Sequence, residues 1–302
     1  MLPSCPMIRS AKITNFRCLR DVEVTFEPLT VLVGPNASGK TTLLQALTPD
    51  ASWGPSETWQ KRGERPVEIA LSIDGRGLVA LPSGGLQYRV MRLDLEALRR
   101  PNQVHVAHEL SADGANLTSA FATLPRTSQA EVARQLCGLV PVFSDVDAPP
   151  FSSGHLRLRF RDRWAPSVDY SPNDVSDGTM LVMALLVLQH QKTPVDVLAI
   201  EEPERGLHPW LLGEVIKVLR AMTKGEGVPR KMQIILATHS AELLEFVEPH
   251  EVRFFGRDTT DGSVRVQEAP TRTPEWCAAF DEYRRSLGEA WLSGGLGGVP
   301  GA

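Results

Sequence analysis

The segment from Gly34 to Thr41 holds the residue types that bind a phosphate chain in proteins. Gly34, Gly39, Lys40 and Thr41 follow the spacing G-x-x-x-x-G-K-S/T. Glycines let backbone amides close around phosphate oxygens, the lysine reaches the β- and γ-phosphates, and the threonine hydroxyl binds Mg²⁺. The predicted contact residues of this loop are Gly34, Pro35, Asn36, Ala37, Ser38, Gly39, Lys40, Thr41 and Thr42.

The residues on either side of the loop have the patterns of a strand and a helix. Residues 29–33 are a short apolar and partly β-branched run, which predicts a buried parallel strand. Leu43, Leu44 and Leu47 recur at helical spacing. A strand, a loop and a helix whose N-terminus attracts anions are the context that the motif requires. This context argues against the alternative, which is a glycine-rich turn without function.

Two carboxylates follow a second predicted strand. Residues 197–200 are all apolar, and Glu201 and Glu202 come directly after them. Ligands of open α/β sheets bind at the carboxyl ends of the strands. Glu201 is therefore predicted to hold Mg²⁺ through water, and Glu202 to orient or activate the attacking water. A solvated charged turn after the strand is the alternative.

A histidine and a Ser-x-Gly helix start are weaker candidates. His239 follows a third buried strand at 234–236, and a strand beside the phosphate loop would bring it to the γ-phosphate. Ser176 and Gly178 stand at the start of a strongly apolar helix. They are either simple helix caps or an anion site that faces the nucleotide of another subunit. Asp177 would oppose a phosphate there unless it turns away.

Four arginines alternate with apolar residues between positions 155 and 164. As one strand, this segment would place them on one face, about 6–7 Å apart, close to the spacing of phosphates along a nucleic-acid strand. The face is therefore a candidate contact for nucleic acid or an acidic partner. A solvated face with pairing acids is the commoner meaning of such a run. The arginines are Arg157, Arg159, Arg161 and Arg163.

The composition predicts a cytoplasmic protein that neither enters a membrane nor coats nucleic acid. The 302 residues are 42% apolar, enough for a sizeable core, and the net charge is −4. The four cysteines show no C-x-x-C pairing, so we expect reduced thiols. No signal peptide is visible, and the longest apolar run, 180–188, is too short to span a bilayer. The glycine-rich tail is predicted to be disordered.

The phosphate loop, Ser-x-Gly helix start, acidic strand end and strand-end histidine resemble, in this order, the ABC-type ATPase heads. The opening strand pair with its loop, "VSDGT" and "EEPERGLHP" are similar to the RecF/SMC-like group of AAA-domain ATPases, including OLD-like ATPases, and unlike transporter ATPases. The resemblance covers residues 8–50 and 170–255. It implies an α/β P-loop NTPase fold, an ABC ATPase-type head with a mixed or parallel sheet core and a small helical insert.

The resemblance also implies roles for the candidate residues. Lys40 would bind phosphate, and Thr41 and Glu201 would ligate Mg²⁺. Glu202 would be the catalytic base and His239 the γ-phosphate switch. Two heads would pack head to tail around two ATP molecules, so that Ser176 and Gly178 complete the opposite subunit's site.

Two features depart from the family pattern. Glu201 stands where the family usually has Asp, which lengthens the metal arm by one methylene and predicts slower hydrolysis. No glutamine is clearly placed as the Q-loop residue, and Gln87 and Gln103 both stay open as candidates.

The chain is expected to have four parts. Residues 1–95 are the predicted nucleotide-binding lobe with the Walker A loop, and 96–154 a helical insert. Residues 155–255 hold the signature helix, Walker B and H-loop, and 256–302 a hairpin, a helix and a disordered tail. No long coiled coil and no acidic TOPRIM nuclease pattern are visible, so we expect an ATPase without its own nuclease.

The leading functional hypothesis is an ATP-hydrolysing switch subunit that controls a separate effector or acts on DNA, with anti-phage defence suggested by family analogy. One alternative is a RecF-like DNA-repair ATPase. The other is a scaffold that binds ATP, dimerises and hardly hydrolyses it, which the Glu201 substitution keeps open.

Overall fold

The computed structural model describes residues 6–48, 54–61, 65–75, 79–80, 86–191, 195–228, 230–269, 271, 273–282 and 286–294. The chain forms two compact units. The first unit comprises residues 1–90, 195–204 and 231–302, and the second unit comprises residues 91–194 and 205–230. The predicted disordered tail lies outside the described residues from position 295 onward. The division into four parts stays a prediction.

The described residues contain the following strands and helices. The strands are β1 (Ile8–Phe16), β2 (Leu19–Thr25), β3 (Leu29–Val33), β4 (Glu68–Ile73), β5 (Val79–Ala80), β6 (Tyr88–Met91), β7 (Asn102–Gln103), β8 (Phe143–Asp147), β9 (Pro150–Ser152), β10 (His155–Leu156), β11 (Arg159–Asp162), β12 (Asp169–Tyr170), β13 (Val197–Glu201), β14 (Gln233–Thr238), β15 (Val252–Arg257) and β16 (Val264–Glu268). The helices are α1 (Lys40–Ala46), α2 (Leu95–Leu98), α3 (Leu117–Thr123), α4 (Arg126–Leu139), α5 (Asp177–His190), α6 (Pro209–Lys224), α7 (Ala241–Leu244), α8 (Pro274–Glu282) and α9 (Leu287–Leu292).

The first unit is built around a mixed sheet with the strand order β16-β15-β3-β14-β13-β6. β15, β3, β14 and β13 run parallel, and β16 pairs antiparallel with β15. The central strands β3 and β14 are buried along their whole length, as expected for apolar strands covered on both faces. The carboxyl ends of β3, β13 and β14 therefore meet at one edge, which places the phosphate loop beside Glu201 and His239.

A second, antiparallel sheet of the first unit has the order β2-β1-β4-β5. Its apolar face packs with α1 and the central sheet into one hydrophobic core. Gln233 links the two sheets, because its buried side chain accepts a hydrogen bond from the Ile8 amide at 2.9 Å and donates one to the Ile8 carbonyl at 2.8 Å. The predicted opening strand pair is thus confirmed as β1 and β2, joined along their length.

The second unit is organised around α5. Twelve of its fourteen residues are buried, which confirms the predicted apolar helix. The predicted insert, residues 96–154, contains α3 and α4 and also the strands β7, β8 and β9. β8, β11 and β12 form one small sheet, and β7, β10 and β9 form another.

Two predicted elements differ in extent from the structure. The pattern of residues 85–95 predicts one strand, but β6 ends at Met91, because the Asp94 side chain accepts a hydrogen bond from the Ala97 amide and begins α2. The single C-terminal helix is two helices, and Ser286 caps the second. The closing hairpin is confirmed as β15 and β16. No helix among the described residues has the length and apolarity to cross a membrane.

Candidate nucleotide-binding site

A pocket of about 320 Å³ opens at the carboxyl edge of the central sheet in the first unit. It lies where the phosphate loop leaves β3 and where β13 and β14 end. Its position is the one that open α/β sheets use for ligands. The lining residues are Asn36, Ala37, Ser38, Gly39, Lys40, Thr41, Thr42, Glu201, Glu202, Ala237, Thr238, His239 and Arg257.

The two motif glycines are required by the shape of the loop. Gly39 has a φ of 106°, which side chains rarely adopt. A Cβ atom at Gly34 would lie 2.4 Å from the Phe255 carbonyl oxygen, so the strand β15 leaves no space for one. Ala37 also has a positive φ, of 62°. Such left-handed turns point successive amides toward one centre, which is the geometry that binds anions.

Lys40 lies within the loop that precedes it. Its ammonium donates hydrogen bonds to the carbonyl oxygens of Gly34 at 2.7 Å and Pro35 at 2.9 Å, and to the Ser38 hydroxyl at 3.3 Å. Burial lowers the pKa of Lys40, and the nearby carboxylates, Glu202 foremost, oppose that shift. The ammonium is thus partly removed from water and held at the loop, a favourable position for attracting phosphate.

Thr41 and Glu201 form an oxygen pair suited to a hard cation. The Thr41 hydroxyl donates to Oε2 of Glu201 at 3.1 Å. Mg²⁺ prefers oxygen ligands and is commonly bound by one or two protein groups together with phosphate oxygens and waters. Among the described residues, no group of three His, Cys, Asp or Glu side chains is arranged to hold a metal alone. The two oxygens therefore fit a metal that arrives with a nucleotide.

Glu202 and His239 face each other at the edge of the pocket. His239 Nδ1 lies 3.5 Å from Glu202 Oε1, and both side chains are about half exposed, at 50% and 46%. Glu202 has a positive φ of 50°, and its amide donates to the Ala237 carbonyl at 2.8 Å. Non-glycine residues in this conformation cost about 1–3 kcal/mol and concentrate at functional sites. The strained backbone turns the Glu202 carboxylate toward the end of β14.

Glu204 is a third carboxylate near the pocket, and the sequence did not predict it. Its Oε1 accepts a hydrogen bond from the Thr238 hydroxyl at 2.5 Å. Its buried Oε2 has no hydrogen-bond partner among the residues that the structure describes. Burial raises the pKa of Glu204, and the Thr238 hydrogen bond opposes the shift. Its position in the acidic segment "EEPER", two residues after Glu202, is the sequence feature that could have indicated it.

Ser176 and Gly178 belong to the second unit, not to the unit that holds the pocket. Ser176 is the N-cap of α5, and its hydroxyl oxygen accepts from the Thr179 amide at 3.2 Å. Asp177 turns to Arg99, with 2.5 Å between Oδ1 and Nη2. Arg99 also donates to the Val175 carbonyl at 3.0 Å. The cap interpretation of Ser176 is therefore confirmed, and its contact with a nucleotide stays a prediction.

The two Q-loop candidates lie at different places. Gln87 directly precedes β6 and lies beside the start of β13, where its amide donates to Asp196 Oδ2 at 2.8 Å. That end of the strand is opposite to Glu201, so Gln87 does not line the pocket. Gln103 is in β7 of the second unit, where it pairs with His155.

The arginine-rich segment is not one strand, contrary to the prediction. Its residues divide between β10 and β11, which belong to different sheets, because the chain changes sheet after Leu156. Arg159 binds Asp147 through two nitrogens, at 2.9 and 2.5 Å. Arg161 lies 3.3 Å from Asp145. The solvated face with pairing acids is therefore the better description of these two arginines.

Arg157 and Arg163 make different contacts. The guanidinium carbon of Arg157 lies 3.8 Å from the centroid of the Phe151 ring, which is 48% exposed. Arg163 donates to the Pro141 carbonyl at 3.4 Å. A nucleic-acid contact through these arginines stays a prediction.

Comparisons with known protein families agree with this site. The family described as "AAA domain, putative AbiEii toxin, Type IV TA system" matches residues 29–78 and 146–245. The family described as "AAA ATPase domain" matches residues 7–49. These segments contain the phosphate loop, both carboxylates at the end of β13 and His239.

Two curated proteins are similar over shorter stretches. The OLD nuclease of Thermus scotoductus is 49% identical over 41 residues, which cover 14% of this chain and 8% of that protein. The DNA replication and repair protein RecF of a Synechococcus species is 36% identical over 104 residues, 31% of this chain and 27% of that protein. The matches thus span less than a third of either relative.

Solved structures of SMC heads share the fold. An SMC head bound to the C-winged helix domain of ScpA has a TM-score of 0.57 at 14% identity, and the match covers 87% of this chain and 98% of that one. The SMC head domain from Thermotoga maritima has a TM-score of 0.52 at 14% identity, over 86% and 98% of the two chains. The family matches show that the phosphate loop, the paired carboxylates and His239 belong to an AAA-type ATPase domain, and its fold is that of an ATPase head of the ABC, RecF and SMC-like type.

Proposed function

We propose that this ATPase is a switch subunit that binds Mg²⁺ and ATP in the pocket, dimerises head to tail around ATP, and hydrolyses it to ADP and phosphate. The state with ATP bound engages a separate effector or DNA, and hydrolysis releases it. The observation that carries the proposal is the meeting of Lys40, the Thr41–Glu201 pair and the Glu202–His239 pair in one pocket.

Some of these residues bind the phosphates, and others take part in proton transfer. The loop amides and Lys40 hold the β- and γ-phosphates. Glu202 orients the attacking water and accepts its proton as the bond to the γ-phosphorus forms and the bond to the β-γ bridging oxygen breaks. His239 lies beside Glu202 and contacts the γ-phosphate, so it distinguishes ATP from ADP.

Thr41 and Glu201 would hold Mg²⁺, which supplies positive charge to the β- and γ-phosphate oxygens when it is bound. The Glu201 side chain already reaches the Thr41 hydroxyl, so the longer arm of Glu places its carboxylate at this position. This contact supports catalysis over the alternative of a scaffold that hardly hydrolyses ATP.

Dimerisation would complete each site with Ser176 and Gly178 of the partner head. The pairing of Asp177 with Arg99 supports this proposal, because it removes the charge conflict that Asp177 would create beside a phosphate. A helix start whose acidic side chain is neutralised then becomes compatible with an anion.

The partner of the switch is proposed from the relatives. The description of the matched family names a toxin of a type IV toxin–antitoxin system, which supports an effector-linked role of the kind found in anti-phage defence. The similarity to RecF supports the second candidate, an ATPase that acts in DNA repair. ATP turnover stimulated by DNA would favour the RecF-like role, and turnover that changes only with a separate effector would favour the first.

Sedimentation velocity of the Glu202→Gln protein tests the switch. This variant keeps the size of the side chain and removes the base, so ATP should accumulate the dimer, while the ATP-free protein stays monomeric. Lys40→Ala with ATP is the control that cannot hold the phosphates. If Glu202→Gln with ATP is as monomeric as ATP-free protein, the head-to-tail proposal fails.

A further inference from the structure

The C-terminal hairpin of β15 and β16 packs against the phosphate loop. The Phe255 carbonyl fills the space beside Gly34, and a Val264 methyl group lies where a Cβ atom of Gly39 would stand. The third contact is polar. Arg257, the last residue of β15, lines the pocket and reaches Ala37 at the middle of the loop.

Arg257 is fixed at both ends of its guanidinium group. Nε and Nη2 both donate to the Ala37 carbonyl oxygen, at 2.9 and 2.7 Å. Nη1 donates to the Gly262 carbonyl in the turn of the same hairpin, at 2.7 Å. Hydrogen bonds from a charged donor are stronger than neutral ones, and a planar fork also fixes direction. The side chain therefore ties the loop to the hairpin.

The contact falls on a strained point of the loop. Ala37 has a φ of 62°, a left-handed conformation that a residue with a Cβ atom adopts at a cost. A carbonyl held by the guanidinium group is not free to turn toward phosphate oxygens, which it would repel. The contact thus favours the loop shape in which amides face the pocket.

The charge of Arg257 also bears on binding. Lys40 and Arg257 are the lysine and the arginine that line the pocket, and Glu201 and Glu202 are acidic residues of the same lining. A triphosphate carries several negative charges, so a second cation at the edge of the pocket offsets the two carboxylates.

We propose that Arg257 is a positioning residue for nucleotide binding: it holds Ala37 so that the phosphate loop is preorganised before ATP arrives. This inference rests on the proposed binding of ATP in this pocket. It predicts an effect on nucleotide affinity and not on the chemical step, because Arg257 contacts the loop at Ala37 and not the Glu202–His239 pair.

The test compares three variants in calorimetric titrations with Mg–ATP and in steady-state hydrolysis. Arg257→Gln should raise the Kd for ATP about tenfold, which corresponds to about 1.4 kcal/mol, with kcat changed less than twofold. Arg257→Lys keeps the charge but loses the fork, so it should recover less than half of that loss. Arg265→Gln removes one charge from β16 of the same hairpin, where Arg265 pairs with Asp258, and should bind ATP as the wild type does.

Three outcomes separate the claims. ATP binding by Arg257→Gln as tight as that of Arg265→Gln would overturn the inference, and so would full recovery in Arg257→Lys, which would leave only a charge effect. Failure of the wild type and of Arg265→Gln to bind ATP would instead remove the proposed function of the pocket. If Arg257→Gln melts well below the wild type, Arg257→Lys is the deciding variant. A raised Kd with an unchanged kcat in Arg257→Lys supports the inference, and a wild-type Kd overturns it.

Discussion

The Thr41 hydroxyl donates a 3.1 Å hydrogen bond to Glu201 Oε2, which joins residues 160 positions apart in the sequence. This contact brings the first turn of α1 to the end of β13. The Glu201 carboxylate thus reaches the threonine across the pocket edge.

Shortening this arm should weaken the metal site. Glu201→Asp retracts the carboxylate by about 1.5 Å, the length of one carbon–carbon bond, and breaks the contact with Thr41. We expect the Mg²⁺ concentration for half-maximal hydrolysis to rise about tenfold, the low end of the effect of disturbing metal ligands and their supports. Hydrolysis measured across a Mg²⁺ series gives this value. An unchanged or lower Mg²⁺ requirement in Glu201→Asp would contradict the assigned role.

The buried carboxyl of Glu204 should make stability depend on pH. Burial raises its pKa, so the folded state binds more protons than the unfolded state between the two pKa values. Stability contributed by this group is therefore present below the unfolded pKa and is lost as the pH rises through the folded pKa. The charges facing it are those of Glu202, His239 and Lys40.

Glu204→Gln removes this titration and keeps an acceptor for Thr238. We expect its melting temperature to exceed that of the wild type by about 2 °C at pH 8, the shift that about 1 kcal/mol produces in a protein of this size. The difference should shrink as the pH falls toward 5. Thermal melts of wild type, Glu204→Gln and the exposed-site control Glu96→Gln at several pH values measure it. A difference that is constant with pH would show that titration of Glu204 is not its cause.

The ion pair of Arg99 and Asp177 gives a prediction about the helix start of α5. Arg99→Gln leaves the charge of Asp177 unpaired beside the proposed phosphate contact. The dissociation constant of the ATP-dependent dimer of Glu202→Gln should therefore rise about fivefold. Adding Asp177→Asn should restore the dimer, because it removes that charge. Sedimentation equilibrium of these proteins gives the dimer constants. If the Asn change weakens the dimer further, repulsion by Asp177 is not the reason for the loss.

The ion pairs of Arg159 predict a structural role for that residue. Arg159→Glu places a third negative charge beside Asp147 and Asp169, so the melting temperature should fall by about 2 °C, the effect of about 1 kcal/mol. Arg157→Glu is the matched control, since it makes the same charge change where the side chain covers Phe151. Arg159→Glu should leave salt-dependent DNA binding unchanged. Lost DNA binding at an unchanged melting temperature would favour the nucleic-acid hypothesis.

The phosphate loop and the strand-end residues were predictable from the sequence because their signals are local. Each candidate follows an apolar run that forms a parallel strand, and parallel strands bring their carboxyl ends to one edge. The order of the sheet, with β14 between β3 and β13, then places His239 beside Glu202.

The residues that the sequence did not predict act through contacts between distant positions in the chain. Arg257 meets Ala37 across 220 positions, and Arg99 meets Asp177 across 78. An isolated arginine in a loop or at a strand end has no periodic pattern, so its partner appears only when the chain is folded.

The alternation of arginines and apolar residues from 155 to 164 is a clear local pattern, but it led to a wrong prediction of one strand. It fits a strand, but it does not show where the chain passes from one sheet to another.

The central claim is that Glu202 is the base for a triphosphate held by Lys40. Single-turnover hydrolysis of ATP by Glu202→Gln, with the Kd for ATP measured on the same protein, tests it most directly. We predict a rate at least about 100-fold below that of the wild type, the usual contribution of a general base, with the Kd changed less than about threefold. Hydrolysis by Glu202→Gln at the wild-type rate, with ATP bound equally well, would contradict the account.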